Sequence, residues 1–148
     1  MAALLLVLAA FAACQRATPA TDPQPAVLTG QWRLAVSGGG FTGRMEPVPA
    51  GTDSRLVLNP DSTYASYYNG KLTEANAFRF RSQPGATAGT TEQVLLLKTT
   101  NSLSGQPYYR LLYITLLTSQ ELHLTTGGGC ALNMEYQRAS GSLPTATR

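Results

Sequence analysis

The chain predicts an all-β domain, a sandwich or a barrel, behind an apolar leader. Three observations carry that expectation. Beyond Gly30 the sequence breaks into eight short runs rich in Tyr, Leu, Val and Thr, each bounded by turn residues. The turns have their own chemistry: Asn69-Gly70 joins two aromatic runs, and a two-residue hairpin turn needs positive φ at both central positions. No stretch shows a 3.6-residue apolar period with helix caps. A length of 148 residues suits one domain. Charged residues are 13% of the chain, about half the ~25% usual in soluble domains, and hydrophobic residues are 43%. That composition belongs to a folded chain rather than a disordered one.

The elements follow in order. Residues 1–13, MAALLLVLAAFAA, form an apolar run too short for a bilayer-spanning helix, which needs ~20 residues, and suited to a secretory signal peptide. Residues 14–29 carry prolines, few apolar residues and no period, and read as an extended, disordered tether. The strands are expected at 31–37, 55–59, 63–68, 71–82, 92–99, 108–117, 121–126 and 132–138, within a domain over 30–139. Val94 to Leu97 and Leu111 to Leu117 are apolar enough for buried helix, but their length and flanking loops favour strands. Asn59-Pro60-Asp61-Ser62 is a tight-turn sequence. Residues 38–54 form the longest expected loop, and 140–148 a disordered tail.

Phe11-Ala12-Ala13-Cys14 resembles the lipobox of bacterial lipoproteins. The resemblance implies cleavage before Cys14, acylation of its sulfur, and a lipid-anchored protein of the bacterial cell envelope, periplasmic or associated with the outer membrane. Several acyl chains hold firmly because each buried CH₂ contributes about 0.8 kcal/mol.

Gly30-Gln31-Trp32-Arg33-Leu34 resembles the opening strand of lipocalin-like proteins. The run Leu56-Val57-Leu58-Asn59-Pro60-Asp61-Ser62-Thr63-Tyr64, then Asn69-Gly70-Lys71-Leu72, Leu117 to Leu122 and the closing Tyr136-Gln137-Arg138, resembles the small lipocalin-like lipoproteins of the Bacteroidetes type. The resemblance implies a single eight-stranded antiparallel up-and-down barrel, often with an apolar cavity. It implies no chemistry.

In such a meander the Gly-rich stretches 38–40 and 127–129 fall at one end, with loop 38–54, while tether and tail leave from the other. A two-residue turn at Asn69-Gly70 sets Tyr67 opposite Leu72, Ala65 opposite Glu74 and Thr63 opposite Asn76, with Phe78 and Phe80 on the Leu72 face. Lys71, Arg79 and Arg81 then face water. Trp32, Leu34, Tyr109, Leu111, Tyr113, Leu122, Leu124, Leu132, Met134 and Tyr136 complete the expected lining. Strict alternation turns Glu74 inward, where a carboxylate is costly unless paired. It is either a polar anchor for a ligand or is turned out by a β-bulge near 74–77. The candidate ligand-binding residues are Trp32, Tyr67, Glu74, Phe78, Phe80 and Tyr113.

Other chemistry has little material. His123 stands without a cluster of metal ligands, and neither Asp53 nor Asp61 adjoins a Ser–His pair. Gly127-Gly128-Gly129 lacks the Lys-Ser/Thr and helix of a phosphate loop. With Cys14 acylated, Cys130 is left unpaired and is expected buried. The net charge of +3 comes from scattered arginines without a basic run, so behind an export signal no nucleic-acid partner is expected, while weak attraction to anionic lipid or glycan is compatible with it. No enzyme, no metal and no cofactor is expected. Two functions remain: a non-enzymatic binder of a small apolar or amphipathic ligand in a barrel cavity, or a structural or interaction module whose barrel is filled by side chains.

Overall fold

The computed structural model describes residues 22–141. All eight expected runs are strands, and a ninth is added: β1 (Gly30–Gly39), β2 (Arg44–Pro47), β3 (Ser54–Leu58), β4 (Thr63–Tyr68), β5 (Lys71–Pro84), β6 (Thr91–Thr100), β7 (Pro107–Leu117), β8 (Glu121–Thr125) and β9 (Leu132–Arg138). Each strand pairs antiparallel with the next from β3 to β9, and β1 pairs with both β3 and β9. The sheet therefore closes into an eight-stranded antiparallel barrel, with β2 as an extra strand on β1. Closure satisfies the strand edges that an open sheet would leave bare.

The ninth strand corrects the loop expected over 38–54. Gly38 and Gly39 do not end β1; they continue it between two partners, β2 and β9. A Cβ on Gly38 would stand 2.0 Å from the Arg44 carbonyl oxygen, and one on Gly39 would stand 2.2 Å from that of Ala131. Glycine is required because backbones approach from both sides. Gly40–Thr42 then forms a short 3-10 turn, and the chain returns as β2.

The tether expected to reach Thr29 also ends earlier. Ala26–Leu28 forms a 3-10 turn, and Leu28 is completely buried in the core. One leucine in a polar, proline-rich stretch is a weak sequence signal, but it closes one end of the barrel.

Register differs at two places. β5 carries a bulge at Thr73, so that Tyr67 pairs with Leu72 as expected while Ser66, not Ala65, pairs with Glu74. Thr63 accordingly faces Ala77, and Tyr64 faces Asn76. Thr73 Oγ1 donates to the Ser66 carbonyl, 3.0 Å away, and so holds the bulge. Cross-strand partners share a face. Leu72, beside Tyr67 and Arg55, is therefore outside and exposed, on the opposite face from Phe78 and Phe80. In β7 the buried face is Leu112, with Ile114 packed against the core, so Tyr109, Leu111 and Tyr113 point the other way. This run is apolar on both faces, and alternation could not choose between them.

The core joins Leu28, Trp32, Leu56, Leu58, Tyr64, Phe78, Phe80, Leu95, Leu97, Leu112, Leu122 and Leu124, drawn from every barrel strand but β9, whose Met134 and Tyr136 pack on it. Arg79 and Arg81 lie on the outer face, between and beside the core phenylalanines, and Arg79 stands over the Tyr109 ring.

Candidate ligand cavity at the open end of the barrel

The two ends of the barrel are built differently. The closed end is held by Arg138 in the last strand. Its guanidinium lies 4.0 Å from the centre of the Trp32 ring. It donates to the Thr29 and Ser119 carbonyls, each at 2.8 Å, and to the Val27 carbonyl. Trp32 in turn donates from Nε1 to the Leu28 carbonyl at 2.9 Å. One fork thus ties β9, the Leu28 plug and the β7–β8 turn together.

The other end is open. A cavity of about 210 Å³ enters the barrel there, lined by Leu56, Leu97, Leu112, Leu132, Met134 and Tyr136, with Ser66, Thr126 and Arg110 as its polar groups. Arg110 of β7 reaches Glu74 of β5 over the intervening β6 at 3.8 Å. Arg110 shares a face with Leu112, and the Thr73 bulge sets Glu74 on the face of Ser66, which itself lines the cavity. An apolar floor with one charged pair at its lip is the usual composition of a small-molecule site. The pair is long and half-exposed, so it holds little energy and a polar ligand group can displace it.

Tyr136 lines this space, and Tyr64 stands behind it, next to Glu74. Tyr64 Oη donates to the Lys98 carbonyl at 2.7 Å. Burial, reinforced by the adjacent Glu74 carboxylate, keeps this hydroxyl protonated well above the ordinary tyrosine range. Burial pushes the Tyr136 hydroxyl up to about 12, with the Arg110 charge pulling back. Both groups therefore present neutral hydroxyls at any physiological pH.

The six candidate residues do not form one site. Glu74 stands at the cavity lip through its contact with Arg110. Trp32 belongs to the closed end. Phe78 and Phe80 are buried in the core but do not line the cavity. Tyr67 is on the outer face with Arg55 and Leu72. Tyr113 lines a different, outer groove of about 360 Å³, with Glu92, Gln93, Thr115 and Gly127 among its neighbours. Cys14 lies outside the described residues. Cys130, expected buried, is exposed in the β8–β9 loop, because that loop turns outward and Gly127 packs on the Tyr113 ring. His123 sits on the outer face between two core leucines, opposite Glu135.

Arg110 is not among the residues that the sequence singles out. Its signal was parity with Leu112 and Ile114, obscured because Tyr109, Leu111 and Tyr113 are equally apolar. Among the described residues no helix is long and apolar enough to cross a membrane. Comparison with known proteins found no matching family model, no matching curated protein and no matching solved structure.

Proposed function

We propose that the protein is a lipid-anchored, non-enzymatic component of the bacterial cell envelope that binds a small apolar or amphipathic molecule in its barrel. The observation that carries this reading is the cavity at the open end, apolar along its walls and capped by Arg110 and Glu74. An apolar cavity of roughly 150 Å³ already takes up benzene, so about 210 Å³ accommodates a ring or a short alkyl chain. A polar head would rest between Arg110 and Glu74. The lipid anchor rests on the Phe11-Ala12-Ala13-Cys14 stretch. The lipocalin-like reading gains support from the meeting of its two marker stretches, since Trp32 and Arg138 are cross-strand partners in contact.

A second reading has its own observation. The half of the barrel around Trp32, Leu58, Phe78, Leu95 and Leu122 is filled by side chains, which suits an envelope interaction module without a ligand. Native mass spectrometry of protein extracted from membranes in mild detergent separates the two. Ligand binding predicts a co-purifying small molecule that is lost in Glu74→Gln or Arg110→Gln, together with acyl mass on a chain beginning at Cys14. A bare protein with no added mass contradicts ligand and anchor alike.

A further inference from the structure

Exposed apolar side chains are distributed unevenly over this barrel. Phe41, Tyr68, Leu72, Leu103, Tyr108, Tyr109 and Leu132 are all large, exposed and at or beside the open end, whereas Leu116 alone lies toward the closed one. Two of them are extreme. Phe41, at the β1–β2 turn, is 98% exposed, and Leu103, in the β6–β7 loop, is 97% exposed. These two loops belong to strands separated by several others around the barrel, so the tips stand on different sides of the mouth.

The charges of the rim are unbalanced in a consistent way. Asp53 is taken up by Arg55 at 2.9 Å and Arg33 at 3.6 Å, and Glu74 by Arg110. Arg44, three residues beyond Phe41, and Lys71, beside Leu72, make no ion pair among the described residues, and Glu46 lies further down β2. The outermost charges are therefore cationic.

We propose that this rim docks on an anionic lipid surface, placing Phe41 and Leu103 in the interfacial layer with Arg44 and Lys71 on the headgroups. A protein partner is anchored by a contiguous, well-packed patch. Two isolated side chains on separate hairpins, with nothing packed around them, do not make one. A lipid interface needs no matching shape and takes up such tips singly, while flanking tyrosines sit at headgroup depth. Basic residues near the surface add attraction to acidic lipids. The inference does not depend on the cavity holding a ligand.

Cys130 provides the test. It is exposed, and its neighbour Ala131 accepts a backbone hydrogen bond from Gly40, beside Phe41. In the full chain carrying Cys14→Ser it is the one remaining cysteine. An environment-sensitive nitrobenzoxadiazole dye on Cys130 reports rim insertion separately from any binding through the apolar stretch 1–13. With vesicles of phosphatidylcholine and phosphatidylglycerol in equal parts, the dye is expected to shift to the blue and to be quenched by lipid-borne nitroxide. The response weakens with phosphatidylcholine alone. Phe41→Ser and Leu103→Ser each weaken it about tenfold, and because both side chains are outside the core the fold is retained. A dye that stays in water while the protein sediments with vesicles overturns the proposal, as does an unchanged response in both variants. A blue shift that needs no lipid, grows with protein concentration and disappears with Phe41→Ser overturns it in favour of a second copy of this chain.

Discussion

Replacing Arg138 by Ala should destabilise the barrel more than any other surface-reaching substitution. The side chain makes three hydrogen bonds to backbone carbonyls, of Val27, Thr29 and Ser119, and lies against the Trp32 ring. A hydrogen bond from a charged donor contributes about 1.5–3 kcal/mol net, and a cation over an aromatic face about 0.5–1 kcal/mol at a partly exposed site. The guanidinium is only half-buried and its bonds share one charge, so the terms do not add fully. The expected cost is about 3 kcal/mol. For a domain of this size that corresponds to roughly 12 °C in Tm. Urea unfolding followed by Trp32 fluorescence measures it directly, since Trp32 is the one tryptophan and sits under the fork. The native spectrum should also move to the red as the Leu28 plug loosens. Arg138→Lys keeps the charge but not the fork and should lose most of the same stability. A loss below about 1 kcal/mol in Arg138→Ala, or a Lys variant as stable as the parent, would mean that the Arg138 fork does not hold the closed end.

Tyr64 and Tyr136 should stay protonated in the folded protein at a pH where a free phenol ionises, visible as a two-group deficit in phenolate absorbance that is made up only on unfolding. Because the folded hydroxyl of Tyr136 titrates at about 12 and the unfolded one near 10, stability is full below pH 10 and falls between pH 10 and 12, by at most about 2–3 kcal/mol for this group. Gly38→Ala should separate β2 from β1 while the barrel stays closed, since the new methyl meets the Arg44 carbonyl; the Val48 amide, bonded to the Ala35 carbonyl, would then exchange faster while β6 and β7 amides stay protected. Gly127→Ala forces a methyl to 2.7 Å from the Tyr113 ring at a φ of +70°; it should cost about 1–2 kcal/mol by thermal unfolding, less when Tyr113→Ala is added, because the strained φ remains but the clash does not.

Local signals made the barrel strands readable. The Asn69-Gly70 turn fixed one hairpin and its first pairs, Tyr67 with Leu72 and Tyr68 with Lys71. Trp32 is a lone large aromatic in a polar–apolar alternation and lies buried at the closed end. What stayed hidden had no local signature. The bulge at Thr73 is an extra residue whose hydroxyl bonds a carbonyl on the neighbouring strand, and one such slip moves Leu72 outside. Arg110 and Tyr113 lie on a strand apolar on both sides, where period-two patterning carries no direction. Gly38 and Gly39 read as part of a loop, because a close approach of three backbones depends on strands distant in sequence. Leu28 was one apolar residue in a stretch that otherwise reads as linker, and its burial depends on Arg138, 110 residues further on.

The proposed ligand site lies at the open end of the barrel, above a core filled by side chains. Methyl NMR of the protein titrated with 1-octanol tests it most directly. Occupancy of the cavity gives saturable shifts confined to Leu56, Leu97, Leu112, Leu132 and Met134, with Leu28, Leu122 and Leu124 unmoved. Absence of saturation, or shifts spread evenly over both ends, would contradict it.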